Sequence, residues 1–162
     1  MTQFARAGKP AAGRPANLCI ESLYSRAGPA SLAAPTMKKI GIGIIGGGLM
    51  GREMASAFAR WCALTDVSVQ PELVAVADLV EPVREWFRQI PSCTQLTADY
   101  HELLKNPAVD VVYVAVPHNL HEKIYTDVLE AGKDLFAEKP FGMDLISSRR
   151  ILEACQRTGR FV

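Results

Sequence analysis

Lys39-Ile40-Gly41-Ile42-Gly43-Ile44-Ile45-Gly46-Gly47-Gly48-Leu49-Met50-Gly51 is the stretch that decides the fold. Its first part, Ile40 to Ile45, is a short apolar run suited to a strand buried on both faces. Two patterns of the form Gly-x-Gly-x-x-Gly overlap in it, one at Gly41, Gly43 and Gly46 and one at Gly46, Gly48 and Gly51. Spacing does not choose between them; context does. The first lies inside the strand, where its glycines have a packing role. The second follows the strand and opens a helix. There Gly46 permits a tight turn, Gly48 leaves room for a pyrophosphate against the backbone, and Gly51 lets the helix pack closely on the strand. The free N–H groups of the first helical turn face such a phosphate, with the helix dipole adding attraction. No Ser, Thr, Asp or Asn stands at the start of this helix, so side-chain capping does not compete for those donors.

Downstream, strand and helix patterns alternate. Leu49 to Cys62 carries Met50, Met54, Phe58 and Trp61 at helical spacing, and Glu72 to Asp78 reads as a second buried strand. Glu81 to Gln89 is a helix with Pro82 in its first turn, and Gln95 to Ala98 a short third strand. Asp99 caps a helix from Tyr100 to Lys105, with Glu102 placed for a capping box. Asp110 to Val116 is the fourth strand, Asn119 to Ala131 a helix stopped by Gly132, and Asp134 to Glu138 the fifth strand. Asp144 caps the helix Leu145 to Thr158, which stops at Gly159, and Arg160-Phe161-Val162 opens a sixth strand. This alternation predicts an α/β fold: a Rossmann-type doubly wound parallel sheet with right-handed crossovers and strand order 3-2-1-4-5.

Asp78 ends the second strand, 27 residues after Gly51. A carboxylate there accepts hydrogen bonds from adenosine ribose hydroxyls and repels a 2′-phosphate. Leu79 and Val80 offer no compensating cation, so NAD is expected as cofactor; NADP stays open through Arg84. The alternative role for Asp78 is an N-cap of the next helix. No Lys-Ser or Lys-Thr follows the glycines, which disfavours a phosphate-transferring P-loop.

Ligands of open parallel sheets sit beyond the carboxyl ends of the strands. The fourth strand ends in Val116-Pro117-His118-Asn119-Leu120-His121 and the fifth in Glu138-Lys139-Pro140-Phe141-Gly142. Three features, taken together, resemble a known family. They are Gly46-Gly47-Gly48-Leu49-Met50-Gly51 after an isoleucine-rich strand; Tyr100-His101-Glu102-Leu103-Leu104 leading through Pro107 to Asp110-Val-Val-Tyr-Val-Ala-Val-Pro117, with His121 four residues on; and Glu138-Lys139-Pro140 preceded by Ala131-Gly132-Lys133. From Lys39 to about Asp144 the chain resembles the N-terminal NAD(P)-binding domain of the glucose–fructose oxidoreductase, inositol dehydrogenase and rhizopine catabolism (Gfo/Idh/MocA) family. The resemblance implies oxidation or reduction of a hydroxyl on a sugar, an inositol or a related small molecule. It implies a catalytic role for Lys139, beside nicotinamide and substrate, where an ammonium stabilises a developing alkoxide. It places Gly46, Gly48, Leu49, Met50, Gly51, Asp78, Pro117, Asn119, His121, Glu138 and Lys139 at the cofactor. Glu138 is expected to support its turn, His121 to be structural at a helix start, and the Lys139–Pro140 bond is a candidate for the cis form. His118 and His121 have no Cys, Asp or Glu partner that completes a metal site, so no metal is expected.

The family carries a second α/β domain that supplies most substrate contacts and a catalytic histidine. The 162 residues end before any such domain. They are expected to represent the nucleotide-binding domain of an oxidoreductase; the alternative is a free-standing dinucleotide-binding module acting as a sensor or subunit partner. Residues 1–36 carry Arg6, Lys9, Arg14 and Arg26 against Glu21 alone and are rich in Ala, Pro, Gly and Ser, which predicts disorder. A targeting peptide, a flexible tail and a true start at Met37 all fit them. The net charge of +1 gives no argument for nucleic acid, and no apolar run nears the ~20 residues that span a bilayer. Four cysteines, none within four residues of another, are simplest as reduced thiols of a cytoplasmic protein, with Cys62 and Cys155 buried in helices. Assembly as a homo-oligomer is left open.

Overall fold

The computed structural model describes residues 37–65 and 67–162. The expectations for residues 1–36, and Cys19 within them, lie outside the described residues. Five parallel strands form one sheet in the order β3-β2-β1-β4-β5. They are β1 Lys38–Ile45, β2 Val69–Ala77, β3 Gln95–Thr97, β4 Val111–Val114 and β5 Asp134–Ala137. The helices are α1 Leu49–Ala59, α2 Glu81–Glu85, α3 Tyr100–Leu104, α4 His121–Glu130 and α5 Leu145–Thr158. The expected strand order is the observed one. The expected sixth strand is not formed by residues 160–162, although the Leu135 N–H donates to the Phe161 carbonyl (2.9 Å) and the Phe161 N–H to Asp134 Oδ1 (3.1 Å).

Both faces of the sheet are covered, which is why the strands read as apolar runs rather than alternations. On one face Ile45, Ala75, Ala77, Val112 and Val114 meet Leu103, Ile124, Tyr125, Val128, Leu129 and Ile151 of α3, α4 and α5. On the other, Ile42, Ile44, Leu73, Val76 and Tyr113 meet Ala55 of α1 and Phe87. The inner edge of α1 is Gly51 and Ala55, small enough for the helix to lie against β1. Gly41 has the packing role read for it: a Cβ there would come within 1.7 Å of the Ala108 carbonyl oxygen.

Several local expectations are corrected. The first helix ends at Ala59, and Trp61–Ala63 form a 3-10 turn that leaves Cys62 exposed. Cys155 is only half-buried, because α5 is an outer helix. The second helix also changes winding, with Trp86–Gln89 as 3-10. β2 starts before Pro71; β3 pairs only with Ala75 to Ala77, so the missing Pro71 N–H costs no bond on that side. Asp99 caps α3 by accepting the His101 N–H (2.9 Å), but Thr97 Oγ1 takes the Asp99 N–H (3.1 Å) and Glu102 pairs with Lys105. The capping box predicted there is therefore absent. One forms instead at α5, between Asp144 and Ser147. α4 begins at His121, after a 3-10 turn from His118 to Leu120.

Candidate nucleotide-binding site

The loop from Gly46 to Gly48 connects β1 to α1 at the carboxyl edge of the sheet. Gly46 adopts φ +95°, and a Cβ there would sit 2.3 Å from the Ala115 carbonyl oxygen, so both the turn and the close approach of β4 require glycine. A Cβ on Gly51 would lie 2.2 Å from the Gly46 carbonyl oxygen. Gly48 differs from both. No atom lies within 4 Å of the position its Cβ would take. It is the N-cap residue of α1, and the helix start has no side-chain cap and no acidic residue in its first turn. The open space thus adjoins uncapped N–H groups at the positive end of an 11-residue helix.

Asp78 follows β2 directly. Its Oδ2 accepts the Gly47 N–H (2.8 Å) and its Oδ1 the Val80 N–H (2.8 Å). The carboxylate therefore fixes the glycine loop against the start of α2, and each oxygen keeps acceptor capacity for a further donor. Arg84 Nη1 donates to the Asp78 carbonyl (2.6 Å), so the cation stands beside the acid but faces its backbone. Gly46, Gly48 and Asp78 border one groove of about 390 Å³, completed by Leu79, Val80, Ala98, Tyr100, Pro117, Leu120 and Ile124. Its walls are mostly apolar, as expected of a pocket that takes a flat ring with few polar anchors. A depression of about 430 Å³ near Trp61 and Pro71 lies at the opposite end of the sheet and has no glycine loop.

At the end of β5, Lys139 is exposed, and the Lys139–Pro140 bond is cis. Glu138 is held as the sequence implied, though its partners were not foreseen. Tyr113 donates to Glu138 Oε1 (2.7 Å), and Tyr125 hydrogen-bonds both the Glu138 N–H (2.9 Å) and its carbonyl (3.0 Å). The Tyr113 bond holds the Glu138 carboxyl below its ordinary range, while burial, followed by Glu138, raises the Tyr113 hydroxyl. Burial pushes the Tyr125 hydroxyl up to about 12. A buried tyrosine inside a strand of valines is the signal that was available, because its hydroxyl must find a partner.

The groove brings together Gly46, Gly48, Asp78 and Pro117 of the expected residues. Gly51 is buried behind it, while Leu49 and Met50 are exposed on the outer side of α1. Asn119 is exposed and borders a separate shallow depression with Lys123 and Asp127. His121 is fully buried, with Nδ1 2.8 Å from the Pro140 carbonyl and Nε2 3.2 Å from that of Val116. The His118 ring is exposed, 5.3 Å from that of His121. Among the described residues no cluster of three His, Cys, Asp or Glu side chains could hold a metal ion, and no helix is long and apolar enough to cross a membrane.

The model of the Gfo/Idh/MocA oxidoreductase family, described as an NAD-binding Rossmann fold, matches residues 40–162. The chain belongs to this family. The Gfo/Idh/MocA chain is 30% identical over 120 residues to the inositol 2-dehydrogenase/D-chiro-inositol 3-dehydrogenase of Lactiplantibacillus plantarum, covering 74% of this chain and 33% of that one. It is 34% identical over 98 residues to the D-xylose 1-dehydrogenase (NADP(+)) of Hypocrea jecorina, covering 58% and 25%. Among solved structures it resembles levoglucosan dehydrogenase in complex with NADH and L-sorbose, with a TM-score of 0.68 and 27% identity over 74% of this chain and 32% of that one. The family chain thus spans a quarter to a third of the length of these relatives, and its matched part is their NAD(P)-binding Rossmann domain.

Proposed function

We propose that this domain serves an oxidoreductase that uses NAD in preference to NADP and acts on a hydroxyl of a sugar, an inositol or a related polyol. One observation carries the reading: the open space over Gly48, at an uncapped helix start, with Asp78 on the same groove. These residues fit a dinucleotide. The N–H groups that open α1 hold the pyrophosphate, Asp78 accepts from a ribose hydroxyl, and the apolar walls between Leu79 and Ile124 exclude water from the adenine. When bound, the nicotinamide supplies the hydride acceptor or donor. Lys139, at the carboxyl end of β5, hydrogen-bonds the oxygen of the reacting hydroxyl, where an ammonium stabilises developing negative charge. The relatives named for inositol and xylose support the substrate class.

The cofactor preference follows from charge. The Asp78 carboxylate repels a 2′-phosphate, and the Arg84 guanidinium already donates to the Asp78 carbonyl. Calorimetric titration with NADH and NADPH is expected to show tighter NADH binding. Tighter NADPH binding overturns the preference; failure of folded protein to bind either overturns the function. A polypeptide of these 162 residues is expected to bind nucleotide with little turnover, since both His121 ring nitrogens already face backbone carbonyls and leave no base there. Polyol-dependent NADH production abolished by Lys139→Ala would contradict that expectation.

A further inference from the structure

We propose that Tyr113, Tyr125 and His121 are positioning residues that hold the Lys139 turn in place against the reactive end of the nucleotide groove. The proposal rests on the reading that Lys139 lies beside the nicotinamide, and adds what sets its place. Lys139 is exposed and belongs to neither strand nor helix, so no repeating backbone pattern fixes it. Three side chains with no exposed surface do. Tyr113, from the middle of β4, reaches Glu138 Oε1, and the other oxygen of that carboxylate accepts the Lys139 N–H (3.2 Å). Tyr125, from α4, engages the backbone of Glu138 on both sides. His121, one turn earlier on α4, sets Nδ1 2.8 Å from the Pro140 carbonyl and Nε2 3.2 Å from the Val116 carbonyl beyond the fourth strand, donates through one ring N–H, and stacks on Tyr125 with ring centroids 4.6 Å apart.

Glu138, Lys139 and Pro140 are therefore each held, directly or through the Glu138 carboxylate, by a buried group rooted in β4 or α4. None of the three buried side chains lines the groove, so their effect on a ligand passes through the turn. Networks of this kind specify one arrangement, because each hydroxyl with a buried partner loses its alternatives. Removing the Tyr113 hydroxyl frees the Glu138 carboxylate, which is only half-buried, to turn toward water and take the Lys139 N–H with it.

The test compares NADH with ADP-ribose, which has the adenosine and pyrophosphate but no nicotinamide. Both are titrated into the wild-type chain and into Lys139→Ala, Tyr113→Phe, Tyr125→Phe and Glu138→Gln, with thermal melts of each. Tyr113→Phe is expected to weaken NADH about five- to tenfold, the scale of one lost hydrogen bond, while ADP-ribose stays within about twofold. Glu138→Gln keeps an acceptor for Tyr113 but turns an amide NH2 toward the Lys139 N–H, and is expected to weaken NADH relative to ADP-ribose as Tyr113→Phe does. A purely structural role would move the two ligands together or the melt alone, and either result overturns the proposal. If Lys139→Ala leaves the NADH to ADP-ribose ratio unchanged, the placement of Lys139 fails and the proposal with it. If Lys139→Ala shifts the ratio while Tyr113→Phe does not, the placement stands and the positioning role is wrong. Should Tyr125→Phe not fold, Tyr113→Phe decides alone, since the group it frees can be solvated.

Discussion

Gly46 and Gly48 do different work, and single substitutions should separate them. Gly46 has φ +95° and a carbonyl oxygen 2.3 Å from the site of a Cβ, so Gly46→Ala is expected to cost at least about 2 kcal/mol in denaturant unfolding. Gly48 has φ −62° and empty space around its Cβ site, so nothing in the protein itself asks for glycine there. On the proposed function, that space is where the pyrophosphate approaches the backbone. This division was readable from the sequence, because the order strand, glycines, helix, strand, acid is local. The Lys139 turn was not readable in the same way. Tyr113, Tyr125 and His121 meet Glu138 and Pro140 across 25, 13 and 19 residues, and only the pairing of β4 with β5 and the packing of α4 bring them together.

The elements themselves were legible in type and order, less so at their ends. Trp86–Gln89 continues the apolar spacing of α2 but winds as 3-10, and the two helix types share a spacing over so few residues. Capping shows the same limit. Asp99 and Asp144 both precede helices with a polar third residue, yet only Asp144 closes a reciprocal box; Thr97, two residues before Asp99, diverts the backbone N–H at the first. The Asp144 cap has a pH signature. Hydrogen bonds from the Ser147 N–H, then its hydroxyl, hold the Asp144 carboxyl below its ordinary value of 3.8. A carboxyl depressed on folding adds stability above its unfolded value and loses it as pH falls through the folded one. Asp144→Ala should therefore lower the melting temperature at neutral pH, and the gap to wild type should narrow below about pH 4. A gap that stays constant down to pH 2 would remove the cap from the account.

For the whole molecule, alternation of strands and helices was enough to predict a five-stranded sheet, because right-handed crossovers leave few orders for a glycine loop at its centre. The contribution of Lys133 was missed: its ammonium donates to the Asn106 (2.9 Å) and Val109 (2.7 Å) carbonyls, tying the loop before β4 to the start of β5. Residues 1–36 are expected to be dispensable, since their composition offers too little apolar surface to offset the entropy of ordering. A polypeptide beginning at Met37 should melt within error of the full chain; a clear drop would contradict this. Phe136, Leu145, Ile146, Leu152 and Phe161 are exposed, so the 162-residue polypeptide is expected to associate as concentration rises, read by sedimentation velocity. The most direct measurement of the central claim is calorimetric titration of NADH into the wild-type chain and Gly48→Val side by side. The account predicts binding to the wild type, no detectable binding to Gly48→Val, and the same melting temperature for both. Equal NADH affinity in the two proteins would contradict it.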